Sequence, residues 1–228
     1  MSDYFDFLAL PLVVQDLIVE EIVHNSVPED RIQFAKACKV FNEMVKRSKP
    51  KKIIRYLFVF DELKYSSTVV DETKLLDKSL EEMLESFKKC QIDDLIISTE
   101  IKIFNPDEEE SHKFLDAFYE ICEFVSELTV YGSPNDEFIK FFKKLKHLEY
   151  LHFRNNFSLL EHCLYLPTGV FCDFEEYDES CRNFLLKLAK KSQQEPLLFV
   201  FVDRDVPVDV IQEFLKVSFF HIIACISN

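Results

Sequence analysis

The sequence predicts an α/β protein in two parts. An all-α helical module occupies residues 1–48, and an irregular array of strands and helices with parallel strands occupies 53–228. Three observations carry that expectation. Near the start, apolar residues recur at helical spacing, at Leu10, Val14, Leu17, Ile18 and Ile22. From Ile53 onward the pattern becomes apolar-x-x-apolar-x-apolar, whose last two positions alternate as a half-buried strand requires. Helix-like stretches separate the copies of that pattern, and strand–helix alternation builds a parallel sheet covered by helices.

The first helix opens at Leu10-Pro11, because proline fixes its own φ and suits a first turn. Ser26 with Glu29 three residues on reads as a capping box, with Pro28 in the first turn of the helix it opens. In that helix Phe34, Cys38, Phe41 and Val45 share one stripe, and Ala37, Val40 and Met44 another. A module of about fifty residues cannot bury so many stripes in a core of its own. An apolar face is therefore left over for a partner. Lys46-Arg47-Ser48-Lys49-Pro50-Lys51-Lys52 closes the module; Pro50 stops a helix, and the basic run is a solvated linker or a nuclear-import signal.

The second pattern recurs at Ile54-Leu57-Val59, Ile92-Leu95-Ile97, Val125-Leu128-Val130, Leu148-Leu151-Phe153, Leu197-Val200-Val202 and, less cleanly, Phe219-Ile222-Ala224. Between these lie helix-like stretches over 75–87, 114–124, 138–145, 184–188 and 208–217. Ser133-Pro134 introduces the third of these and Pro207 the last. The spacing of the strands is uneven, and the widest gap holds an insertion over 159–177, rich in Phe, Cys and acids. A compact α/β domain without repeats is the competing reading.

Leu-Pro, spaced aliphatics, Asp30-Arg31 and then Ala37-Cys38-Lys39-x-Phe41 together resemble an F-box, over roughly residues 4–45. The resemblance implies docking on a Skp-type adaptor and, through it, on the cullin scaffold of a ubiquitin ligase, while the rest of the chain recruits a target. By matching position, Leu10, Pro11, Val14, Leu17, Ile18, Ile22, Ile32, Cys38 and Phe41 supply the docking surface and its support. Where the family usually has Val and Trp, this chain has the smaller Ala37 and Phe41. Leu148-x-x-Leu151-x-Phe153-x-x-Asn156 fits the leucine-rich-repeat signature to its terminal Asn. The array thus resembles a degenerate leucine-rich-repeat domain, the substrate-binding part of many F-box proteins. Strand alternation puts Phe58, Ile96, Thr129 and His152 between inward pairs, as target contacts.

Charge narrows the partners. The net charge is −14, and it is unevenly placed: residues 1–56 hold nine Lys/Arg and eight Asp/Glu, and residues 57–228 hold eighteen and thirty-three. So acidic a second part repels nucleic acid and steers basic partners towards itself. Seven scattered cysteines without a secretory signal read as reduced thiols in a cytoplasmic or nuclear protein, and no apolar run is long enough to suggest a membrane span.

Catalytic signatures are lacking. Two glycines allow no phosphate cradle, and neither a nucleophile elbow nor a His-Glu-x-x-His helix occurs. His147, His152, His162, Cys163, Cys172 and Cys181 lack the close Cys-x-x-Cys pairs of zinc knots, so packing explains them. The acids of 107–110 and 173–179 read as helix starts or loops, or as a surface for a basic target. The expectation is a non-enzyme with neither metal nor cofactor: the substrate-recognition subunit of an SCF-type ubiquitin ligase. The alternative is a repeat-type protein-binding scaffold with no ligase connection, its first helices capping the array.

Overall fold

The computed structural model describes residues 6–61, 64–69, 72–77, 80–104, 109–154, 158–163, 165–174, 176–203 and 205–217. The helical part comprises a 3-10 turn at Phe7–Ala9, α1 at Leu12–His24, α2 at Pro28–Ala37 and α3 at Lys39–Arg47. Pro11 is the N-cap of α1 and Pro28 opens α2. Ser26 does not form the capping box: its hydroxyl donates back to the Ile22 carbonyl at 2.6 Å and closes the end of α1, and Val27 takes the cap position. The stretch read as one helix is two, broken at Cys38, whose backbone is extended (φ −161, ψ 166). In an unbroken helix, residues seven apart stand about 10 Å apart along the axis. The break instead stacks Phe34 on Phe41 with ring centroids 4.4 Å apart, and Phe7 meets both edge-on.

The module's core is small: Val19, Val23, Met44 and Val45, with Phe7, Phe34, Ala35 and Phe41 packed against it. On α1 the buried stripe is Gln15, Val19 and Val23, not the more apolar stripe the sequence emphasises. Gln15 can sit inside because its amide donates to the carbonyls of Leu8 (3.1 Å) and Leu10 (2.7 Å), tying the 3-10 turn to the helix.

The remainder is a sheet with its crossovers. In chain order it runs β1 (Lys52–Asp61), β2 (Lys64–Val69), β3 (Glu72–Asp77), α4 (Leu80–Phe87), β4 (Cys90–Ser98), a 3-10 turn (Lys102–Phe104), α5 (Glu109–Cys122), β5 (Glu127–Tyr131), α6 (Asp136–Phe142), β6 (Tyr150–Arg154), α7 (Leu159–His162), β7 (Gly169–Asp173), α8 (Glu179–Lys191), β8 (Phe199–Val202) and α9 (Val208–Val217). The strand order is β3-β2-β1-β4-β5-β6-β7-β8. From β1 through β4 to β8 every neighbouring pair is parallel, while β2 and β3 add an antiparallel hairpin at one edge. Each parallel strand thus lies beside the next one in the chain. Crossovers of one hand then place their helices on one face, where α4 packs on α5, α6 on α7 and α8 on α9.

The sequence pattern becomes a spatial ladder. Leu57, Leu95, Leu128, Leu151, Val170 and Val200 stand in register across the sheet, and Val59, Ile97, Val130, Phe153, Cys172 and Val202 form the next column. All twelve point into the helix-covered core. Phe104, Phe118, Phe138, Phe141, Phe142, Phe174 and Phe184 fill the layer between sheet and helices. Asn135, rather than Ser133, caps α6: its carbonyl oxygen accepts from the Phe138 N–H at 2.9 Å, and its amide donates to the Phe104 carbonyl at 2.7 Å.

The array departs from expectation in two places. The β2–β3 hairpin replaces the first part of the helix expected over 75–87. Tyr65-Ser66-Ser67-Thr68-Val69 has the β-branched and aromatic content of a strand but little apolar alternation, and so gives a weak signal. β7 falls within 159–177, the stretch read as an insertion. It carries the pattern as Pro167-Val170-Cys172, with aliphatics replaced at both ends. Phe219-Ile222-Ala224 and Asn156 lie outside the described residues.

Candidate partner-binding surfaces

Two surfaces stand apart from the packed core. The first is on the helical module. With Gln15, Val19 and Val23 turned inward, α1 leaves Leu12 (69% exposed), Val13 (71%) and Leu17 (61%) in solvent, together with Val14, Leu8 and Val40 of α3. Of the residues expected to dock, Pro11, Val14 and Leu17 are exposed, and Leu10, Ile18, Ile22, Ile32, Cys38 and Phe41 are half-buried. Phe41 acts as support through its stack on Phe34. Leu8, Leu12, Val13 and Val40 belong to the same exposed set but not to the expected docking residues, because a spacing rule ranks residues by periodicity and cannot tell the buried stripe from its neighbour. Among the described residues the module meets the sheet through α2 on β4, beside the turn where the Gln91 amide donates to the Ser26 carbonyl at 2.6 Å, and α1 shows no comparable packing on the sheet.

The second surface is the face of the sheet opposite the helices. Side chains between the inward columns line up there in rows. One row is Phe58, Ile96, Thr129 and His152, the four positions expected to contact a target, and it continues through Phe171 and Phe201. The row before it is Tyr56, Asp94, Glu127, Tyr150, Gly169 and Phe199. The positions just before each second apolar residue of the pattern give this row directly, so alternation alone could have found it.

Rings dominate both ends of this face. Tyr56 meets Phe58, Phe58 meets Phe60, and Phe60 meets Tyr131, with centroids 6.5, 6.0 and 5.6 Å apart. At the far end Tyr150 stacks with Phe199 at 5.7 Å, and Phe171 contacts His152, Phe199 and Phe201. Gly169 makes the Tyr150–Phe199 stack possible, because a Cβ there would lie 2.4 Å from Phe199 and 2.6 Å from Tyr150. Gly169→Ala is expected to cost about 1–3 kcal/mol through this overpacking and to change the near-UV circular dichroism of the tyrosines. An unchanged spectrum and an unchanged urea midpoint would show that the two rings do not pack over the glycine.

Between the two groups of rings the face is acidic. Asp94 is only 8% exposed, and its Oδ1 has no hydrogen-bond donor among the described residues. Burial first, then Glu127 and Asp93, push its carboxyl up to about 7. Glu127 is also raised, by burial and by Asp93 and Glu149, against the lowering effect of Arg55. Arg55 pairs with Asp93 at 3.2 Å, and Asp93 also accepts from the Ser126 hydroxyl at 2.9 Å. Arg154 pairs with Asp173 at 3.5 Å. His152 is held below its usual value by burial, which outweighs Asp173 and Asp203.

The other singled-out groups are dispersed. His147 stacks on Phe124 at 5.1 Å, and His162 ends the short α7. Cys172 and Cys181 are buried free thiols; Cys163 is also free, and burial drives its thiol up to about 12. Among the described residues no three His, Cys, Asp or Glu side chains gather as metal ligands, and no helix is long and apolar enough to cross a membrane. Of the acidic runs, Asp178 caps α8 by accepting from the Cys181 N–H at 3.0 Å. Residues 105–108 and Glu175 lie outside the described residues. The chain matches no protein-family model, no curated protein sequence and no solved structure.

Proposed function

We propose that this chain is a non-catalytic recruitment subunit, docking on a Skp-type adaptor through its helical module and holding a target protein on its sheet. Through the adaptor the target would be presented to a cullin-based ubiquitin ligase. Raising the local concentration of target lysines needs no chemistry in this chain. One observation carries the reading: Leu12, Val13, Val14 and Leu17 form an apolar patch on α1 that neither the module's own core nor the sheet covers. A patch of large aliphatics is what a helix-binding partner desolvates. The finer architecture we read as a degenerate leucine-rich-repeat-like array. The in-register columns support this, while the hairpin of β2 and β3 and the unequal crossovers mark its degeneracy.

The test is capture of a purified Skp-type adaptor by the full chain, with Leu17→Asp as the comparison. Leu17 is exposed, so the substitution spares the fold and places a charge inside any interface formed there. Binding by the wild type and loss of at least about tenfold in the variant is the expected outcome. A folded wild type that captures no adaptor would sink the ligase reading. It would favour the scaffold alternative, in which the first helices only cap the sheet, a reading that draws on the packing of α2 against β4.

A further inference from the structure

We propose that the open face of the sheet binds a basic, extended segment of a partner protein, with one arginine side chain seated on Asp94 and Glu127 between Tyr56 and Tyr150. The inference rests on the recruitment reading above and names the chemistry that the recruiting face selects.

The seat is built by register. Tyr56, Asp94, Glu127 and Tyr150 lie side by side on β1, β4, β5 and β6. Adjacent strands are about 4.8 Å apart, so each ring stands one strand from a carboxylate and the two carboxylates neighbour each other. Glu127 is exposed, and Asp94 beside it on the neighbouring strand is buried. A buried carboxylate oxygen almost always has a donor. The Oδ1 of Asp94 has none among the described residues, and the nearby cation Arg55 pairs with Asp93 instead. Among the described residues that acceptor is left without a donor, and in this proposal a partner's guanidinium supplies it.

Three observations select a guanidinium as that donor. Its planar fork can address two carboxylates on adjacent strands, and its face stacks on tyrosine as a compact ammonium's cannot. Tyr56, Phe58 and Tyr150 supply aromatic faces around the acids, where a cation is favoured. The excess of acids in residues 57–228 steers basic segments towards this part of the chain. A divalent metal fits poorly, since no third ligating side chain joins the pair among the described residues.

The seat also has a pH signature. The charged and titratable groups around Asp94 are Arg55 and Tyr56 on β1, Asp93 on its own strand, Glu127 on β5, Tyr150 on β6 and Glu149 just before it. Arginine stays charged throughout, so an arriving guanidinium displaces the proton that Asp94 holds near neutrality. Affinity therefore rises between about pH 6 and about pH 8.

The experiment measures fluorescence anisotropy of a labelled peptide of roughly twelve alternating arginines and serines, with the full chain, at fixed salt. A citrulline version of the peptide is the control. Wild type is expected to bind the arginine peptide more tightly as pH rises, and the citrulline peptide not at all. Asp94→Asn and Glu127→Gln should each weaken binding by about tenfold or more, and Asp94→Asn should flatten the pH profile. Three results would overturn the proposal: variants that bind like wild type, a wild type that does not bind, or equal binding of the citrulline peptide. Both variants should still capture the Skp-type adaptor. Failure of the arginine seat thus leaves the adaptor reading standing, and failure of adaptor capture leaves the seat intact on a scaffold.

Discussion

Phe138→Ala is expected to destabilise the protein by about 3–5 kcal/mol. The ring is fully buried and lies 5.0 Å from Phe104, 6.1 Å from Phe141 and 6.4 Å from Phe142. Its backbone N–H is held by Asn135, whose amide also holds the carbonyl of Phe104. The start of α6 and the 3-10 turn are thereby pinned on both sides of the ring, so neither can move in to fill the space an alanine leaves. The cost therefore includes an unrelaxed cavity as well as lost transfer energy. Urea unfolding followed by circular dichroism measures it, with Phe60→Ala as the control. Phe60 is half-exposed on the open face and should cost under about 1 kcal/mol. A loss as small for Phe138 would mean that the Phe layer collapses around the gap and does not pin α6.

The sheet was legible where a strand obeys one constraint. Leu57, Leu95, Leu128, Leu151 and Val200 each bury a large aliphatic against the same helical layer, so the pattern repeats in the sequence and in the register alike. β7 escaped because Pro167 and Cys172 satisfy the same geometry with other chemistry: a proline before the strand and a small thiol beneath Phe184's layer. The β2–β3 hairpin escaped for a different reason. It lies at the sheet's edge, beyond the parallel array, where β2 pairs antiparallel with β1 and β3 with β2, and its sequence carries little of the apolar alternation that marks the other strands.

The candidate surfaces were legible in part, and the limit again has a physical cause. On α1, apolar spacing marked the stripe of Leu10, Val14, Leu17 and Ile18 as important, yet burial went to the stripe containing Gln15. The glutamine is inside because two carbonyls of the preceding turn consume its donors, and hydropathy cannot register a satisfied amide. At the sheet, alternation found the row of Phe58, Ile96, Thr129 and His152 but could not separate it from the row of Asp94 and Glu127. What distinguishes Asp94 is that its Oδ1 is buried without a donor among the described residues, a property of three strands assembled together.

Asp94→Asn should make the protein more stable at about pH 8, by about 2–4 kcal/mol, while leaving stability near pH 4 almost unchanged. The sign follows from where the proton sits. In the folded chain the Asp94 carboxyl is raised from 3.8 to about 7, so the native state holds its proton more tightly than the unfolded chain does. Wild-type stability therefore falls as pH rises from about 4 to about 7, and levels off once both states are ionised. An amide of the same shape carries no charge to bury beside Glu127 and Asp93, and escapes that loss. Urea midpoints of both proteins across this pH range test the claim; a variant less stable than wild type at pH 8 would mean that the carboxylate is already satisfied by a donor in the folded chain. The expected gain also bears on the arginine seat. If the same replacement also removes peptide binding, the cost of burying the Asp94 charge is the cost that the proposed partner's cation would offset.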